Sequence, residues 1–303
     1  ESFRWTYQRP EWISSRRASV ARAQAAVLAA RGRYAEAEAL QRQAIAVIEA
    51  DPVWSKDTWL DSETGWLSRY LLRQGRLVEA ESEARRALLG MLAKRGRYST
   101  QTAAVLRYLT EALFEQGRYA EAETLARAAT DIYQKTGSAS ESILLAVARS
   151  HLAAALSPQG RWQEALAEYE AMQAGLAGDP EHQRKYLKFN VGWAIALMTA
   201  GRPDAALEIL NPAREHRRRL VGDNHQSTAH VRGLIAMAHA AKGDRARALR
   251  DFSDATQVLL MPATDVEDEA ANRATQDRRL ALVLEAYMRL LADIRGTAME
   301  QQA

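Results

Sequence analysis

The 303-residue chain has no cysteine, which rules out disulfides, thiolate zinc sites and a cysteine nucleophile within it and leaves the compartment open. No apolar run approaches the roughly 18 residues that a membrane span needs. Neither sign of charge dominates: 41 basic against 38 acidic side chains leave +3. That balance argues against the strongly basic face that non-specific nucleic-acid binding uses. Strand patterns are missing, and with them any Gly-rich phosphate loop between a strand and a helix. No Ser/His/Asp arrangement stands out, and the carboxylates are spread as helix-surface charge. The six histidines are scattered, His225 and His230 being five apart, which is not the spacing of a helical metal pair. Asp265, Glu267, Asp268 and Glu269 lack the oxygen-ligand spacing and the Gly of a calcium loop. The expectation is a protein with no catalytic residue, no metal and no cofactor, that neither enters a membrane nor binds nucleic acid. The opening residues, Glu1-Ser2-Phe3-Arg4-Trp5, are neither an initiator Met nor a secretion signal, and the chain reads as a piece of a longer protein. Its expected location is cytoplasmic, or periplasmic if a signal peptide has been removed.

What is present is helix-forming: Ala, Leu, Arg, Glu and Gln dominate, and apolar residues make up 47%. A glycine recurs at Gly32, Gly75, Gly117, Gly160, Gly201 and Gly243, with spacings of 43, 42, 43, 41 and 42 residues. Five residues after each comes alanine (Ala37, Ala80, Ala122, Ala165, Ala206, Ala248). Twelve after, alanine appears again in all but one copy, where Met172 stands. Seven before, the residue is small: Ala25, Ser68, Thr110, Ala153, Ala194 and Ala236. Four before, it is Leu in five copies and His239 in the sixth. Helix pairing explains this pattern. Glycine supplies the positive φ that ends one helix and turns the chain back. Small residues on either side lie where the two helices cross, and a larger side chain would push the axes apart. One pair cannot bury its apolar faces alone, so neighbours must stack.

These residues resemble the tetratricopeptide repeat, as in Gly117-Arg118-Tyr119-Ala120-Glu121-Ala122. The period is longer than the standard 34 and is similar to that of kinesin light chains and many bacterial repeat proteins. The stretch Gly222-Asp223-Asn224-His225-Gln226-Ser227-Thr228-Ala229 is similar to that family's Gly-x-Asp-His-Pro-x-Thr-Ala linker, with Asn224 splitting the Asp–His pair and Gln in place of Pro. The resemblance implies an all-α, right-handed superhelical solenoid of antiparallel helix pairs that binds a peptide or partner domain in its concave groove. The long repeats followed by Arg279-Leu280-Ala281-Leu282-Val283-Leu284-Glu285-Ala286-Tyr287 also resemble the repeat region of bacterial TPR–CHAT proteins. The alternative that this implies is a sensing or regulatory arm for a caspase-like peptidase domain outside this segment.

The reading divides the chain into an irregular segment, 1–13, six helix pairs over 14–260, and a C-terminal capping helix and tail over 261–303. First helices (A) are expected near 15–30, 57–74, 99–116, 140–157, 182–200 and 226–242. Second helices (B) are expected near 34–50, 77–94, 119–135, 161–176, 203–220 and 245–260. A thirteenth helix is expected over 266–295, opened by the acidic turn and capped by Gly296. Pro212 should kink or break the fifth helix B, and Pro158 should distort the turn into Gly160.

The family resemblance places A helices on the inner surface, where exposed positions include Arg22, Trp66, Arg69, Arg107, Tyr108, Glu111, Phe114 and His151. Guanidinium and aromatic groups suit an acidic or aromatic peptide, since Arg grips carboxylates with two bonds and aromatics anchor interfaces. The competing expectation is that Trp66 and Tyr108 pack between repeats. The corresponding positions lack the Lys/Asn clamp of chaperone-binding members and the paired Asn of kinesin light chains. Asn190 is the lone Asn on an A helix, and it is out of register. The matching positions of the last two repeats are apolar (Val191, Gly192, Ile195, Met198; Gly233, Leu234, Met237, Ala240). They should be covered, preferably by the thirteenth helix. The run Arg214, His216, Arg217, Arg218, Arg219 is expected to be a solvated helix end.

Overall fold

A computed structural model describes residues 10–139, 142–261 and 273–300. Among the described residues there are fourteen α-helices and no strand: α1 Pro10–Ala30, α2 Tyr34–Glu49, α3 Thr58–Arg73, α4 Leu77–Arg95, α5 Thr100–Glu115, α6 Tyr119–Lys135, α7 Ile143–Leu156, α8 Trp162–Gly175, α9 Pro180–Tyr186, α10 Val191–Thr199, α11 Pro203–Val221, α12 Gln226–Ala241, α13 Arg245–Leu259 and α14 Arg273–Glu300. None is long and apolar enough to cross a membrane. The chain divides into two compact units, α1–α6 and α7–α14. Within each, helices pack on the next in chain order as antiparallel pairs, except at the short α9, across which α8 packs on α10.

The repeat residues are where helix crossing requires them. All six alanines five residues after a turn glycine are fully buried. Ala25, Ala153, Ala194 and Ala236 opposite them are also at 0%, and Ser68 and Thr110 at 1% and 2%. At one crossing the axes are close enough for the Ser68 hydroxyl to donate to the Ala80 carbonyl at 2.7 Å. The six turn glycines take φ between +72° and +81°. The amide after each bonds back to the fourth residue before the glycine, as in Arg118 N to Leu113 O at 2.9 Å. This closes the last helical turn.

A second regularity ties successive repeats of the first unit together. Glu38 accepts from Gln74 and Arg76 of the next repeat, at 2.8 and 2.6 Å. Glu81 likewise accepts from Gln116 and Arg118, at 2.8 and 2.9 Å. Burial alone would raise Glu38, but hydrogen bonds from Gln74, Arg42 and Arg76 outweigh it and hold the carboxyl below its ordinary range.

The structure corrects several expectations. The first helix begins at Pro10 rather than near 15, and proline suits a first helical position because its missing N–H would have no partner there. The fifth A helix is two helices, α9 and α10, separated by a turn over 187–190. Asn190 causes the restart: its side chain accepts from the Trp193 amide at 3.0 Å, a cap that Asn makes more readily than it sits in a helix interior. Pro212 does not break α11, which runs through it. Pro158 does end α7 early, giving a 3-10 turn over Ser157–Gln159. Gly296 is no cap, because α14 continues to Glu300. The acidic turn at 265–269 lies outside the described residues.

In the second unit α14 lies on α12 and α13. Gly233 is buried where a Cβ would meet Val283 at 2.6 Å, so the missing side chain admits Val283 between the helices. Met237 and Ala240 join the same cluster with Leu280, Tyr287 and Leu290, so the apolar surface of the sixth repeat is covered internally, as expected. Phe252 and Tyr287 stack at 5.1 Å. The basic run on α11 is not simply a solvated end. Arg218 and Arg219 pair with Glu215, but His216 stacks on Phe189 at 4.6 Å. Arg214 reaches Asp223 at 3.7 Å while its Nε is buried with no partner among the described residues.

Candidate functional site

Seven of the eight expected groove residues lie in the first unit, on α1, α3 and α5. His151 lies on α7 of the second unit, half-buried. The centre of the first-unit set is a ladder of rings and guanidiniums. The Trp66 ring stands 6.0 Å from that of Tyr108 and 6.4 Å from that of Tyr70. Arg69 and Arg107 both lie over Trp66, at 5.5 and 5.4 Å. Arg107 also covers Tyr108 at 4.5 Å and donates to its hydroxyl at 2.7 Å. Cations over aromatic faces gain about 0.5–1 kcal/mol at exposed sites and more when water is excluded. The ladder therefore holds both arginines in place.

Gly65 makes this possible. A Cβ there would collide with the Tyr108 ring, so the slot left by the missing side chain receives it. Tyr108 is consequently 5% exposed, and burial pushes its hydroxyl above the ordinary range against the pull of Arg107. Trp66 remains half-buried, and Arg69 keeps 34% of its side chain exposed beside Glu111, at 3.9 Å. Phe114 is spent on packing, its ring 5.4 Å from Tyr119.

Arg22 leads to a second cluster. Its Nε is 3.6 Å from Glu63, whose buried carboxylate accepts from Gln41 at 2.6 Å and Trp59 at 2.8 Å. Burial pushes Glu63 above the ordinary carboxylate range, against those two bonds and the Arg22 charge. Sequence reasoning missed Gln41 and Glu63, since neither occupies a repeat-signature position. Among the described residues no group of three or more His, Asp or Glu side chains could hold a metal.

A tetratricopeptide repeat family model matches residues 62–135 and 187–260, and a second tetratricopeptide repeat model matches 25–50. Together they take in more than half of the chain. No curated protein matches it. Among solved structures, BtubC (BKLC) from P. vanneervenii is similar, with a TM-score of 0.51 and 17% identity over 81% of this chain and 90% of that one. Nearly identical TPR-like repeats assigned to a kinesin light chain of Podosopora anserina give a TM-score of 0.49 and 21% identity, covering 66% of this chain and 95% of theirs. The TPR2AB domain of yeast Sti1, in a complex with pHSP90, gives 0.30 and 14% over 90% of this chain and 98% of its own. At such identities the likeness to BtubC speaks for the fold alone. The family matches fall in both units, on the segments where buried alanines set the helix crossings, and the chain belongs to the tetratricopeptide repeat family of protein-interaction scaffolds.

Proposed function

We propose that the chain is a non-catalytic scaffold that takes an acidic or aromatic peptide along the face of α3 and α5, with Arg22 on α1 beside it. The observation that supports this is the pair of guanidiniums fixed over Trp66, with Arg69 still a third exposed. Two cations held by ring faces lose little side-chain freedom when a carboxylate arrives, which favours binding over a loose surface charge. Trp66 and Arg69 are the contacts that a ligand reaches. Arg107 and Tyr108 hold them in position, and Glu111, 3.9 Å from Arg69, orients that guanidinium.

The test is calorimetric titration with short acidic, aromatic and basic peptides. An acidic or aromatic peptide should bind the native chain, and Arg69→Glu should weaken it at least tenfold while the melting temperature stays within a few degrees. Equal binding by both proteins, or no binding by the native chain, would remove this face from consideration.

A further inference from the structure

The connection between α4 and α5 is a fixed tip rather than a slack loop. On one side, Lys94 donates to the Asp57 carbonyl at 2.8 Å and to Asp61 at 2.9 Å. Asp61 sits where Gly90 has no side chain; a Cβ there would collide with its carboxylate. On the other side, the Thr102 hydroxyl donates to the Gly96 carbonyl at 2.7 Å, and Ser99 caps α5 by accepting from the Thr102 amide at 3.1 Å. Gly96 turns the chain between these anchors at φ +72° and ψ −177°, a conformation that a side chain would strain. Arg97 and Tyr98 project from the result. Tyr98 is 55% exposed, with Arg97 and Lys135 each 5.4 Å from its ring.

The charge here is uneven. Lys94 and Lys135 are answered by Asp61 and Asp131, both at 2.9 Å. Among the described residues no carboxylate lies within 4 Å of Arg95 or Arg97. Helix dipoles account for basic residues in the last turns of α4 and α6, but Arg97 and Tyr98 lie outside any helix.

The chain contains its own comparison. The linker before α12 makes the same turn: Gly222 has φ +91° and ψ 171°, and the Thr228 hydroxyl donates to its carbonyl at 2.8 Å. Its tip carries Asp223, whose carboxylate lies 3.1 Å from Arg232 and 3.7 Å from Arg214. That copy ties its tip charge to its own unit, whereas the copy at Gly96 presents two unanswered arginines and an aromatic to solvent.

We propose that Arg95, Arg97 and Tyr98, with Lys135 beside them, form a second docking surface, which takes an acidic segment of a protein partner. Arg and Tyr are among the side chains enriched at interface hot spots, and the anchored turn removes the ordering cost that a flexible loop would add. A single nucleic-acid strand also seeks cations and aromatic rings, but stacking needs an open ring face. Both neighbours of Tyr98 are cations lying over its ring, which favours carboxylates instead.

The experiment uses the full chain and a fluorescein-labelled decapeptide of alternating Glu and Ser, followed by anisotropy at low and high salt. The native chain should bind the peptide, and more weakly as salt rises. Arg97→Glu with Tyr98→Ala should weaken binding at least tenfold, and Arg95→Gln with Arg97→Gln, which adds no repulsion, should weaken it in the same direction. Both tip variants are made in an Arg69→Glu background, which removes the face of α3 and α5, so that the loss is read at the tip alone. The proposal is overturned if the Arg69→Glu chain does not bind the peptide, if both tip variants bind like that Arg69→Glu parent, or if an oligo-dT of equal length competes at the tip more tightly than the peptide.

Discussion

At the scale of single residues, the crossings have the least tolerance. Ala80 is fully buried, with its carbonyl in a hydrogen bond to the facing helix. Ala80→Leu adds volume where none is free and should cost about 1–3 kcal/mol, as overpacked cores do; urea denaturation followed by circular dichroism measures it. His230 on α12 is a different kind of sensitive residue. Burial pushes it down to about 3, with Arg279 on α14 and Arg217 on α11 adding to the shift. The ordinary value is 6.5, so below that pH the unfolded chain takes up a proton that the folded chain refuses. Stability is therefore unaffected above pH 6.5 and falls from there toward about pH 3. Melting curves between pH 7.5 and 4.5 should show a smaller loss for His230→Gln than for the native chain.

At the scale of elements, how well the sequence could be read depended on how local the cause was. The turn glycines act within one turn of chain, and so the B helices begin and end within about two residues of where periodicity puts them. The split of the fifth A helix has a local cause too: Asn190 is a capping residue in mid-pattern. It was visible, but only as an Asn out of register. Pro212 shows the opposite case, a local rule overridden. Ile209, Leu210 and Ala213 around it are buried, and that packing holds α11 continuous. The linker at Gly96 could have been found by laying Gly96 and Thr102 on Gly222 and Thr228, six apart in both. For α14 the deciding feature is Gly233. Gly233→Val should push Val283 out of its slot and raise hydrogen exchange over residues 280–294, while the first unit is unaffected.

At the scale of the molecule, a repeat array gains stability from each repeat and from each interface with its neighbours. In the first unit those interfaces carry the Glu38 and Glu81 bridges. The ladder is altered in the second unit, where Leu166 and Leu207 stand at the equivalent positions. There Arg202 pairs with Glu170 instead, and Lys242 with Asp204. Glu81→Ala should therefore cost about 1 kcal/mol by removing the acceptor that joins Gln116 and Arg118 to the preceding repeat, while Arg118 keeps its bonds to Glu121. Denaturant titration should also show the transition broadening, because one interface is weakened while the repeats on either side remain intact.

The all-helical class, the number of pairs and the residues at each crossing were determined by the sequence alone, because a period near 42 and a small side chain at fixed offsets are one-dimensional facts. The candidate face was legible only as a set of positions. That Tyr108 lies in a slot made by Gly65, that two arginines grip Trp66, and that one linker tip faces solvent while its copy is tied inward were decided by tertiary structure. Each depends on which repeat's side chain fills the space left by another, and that pairing is absent from the order of residues along the chain.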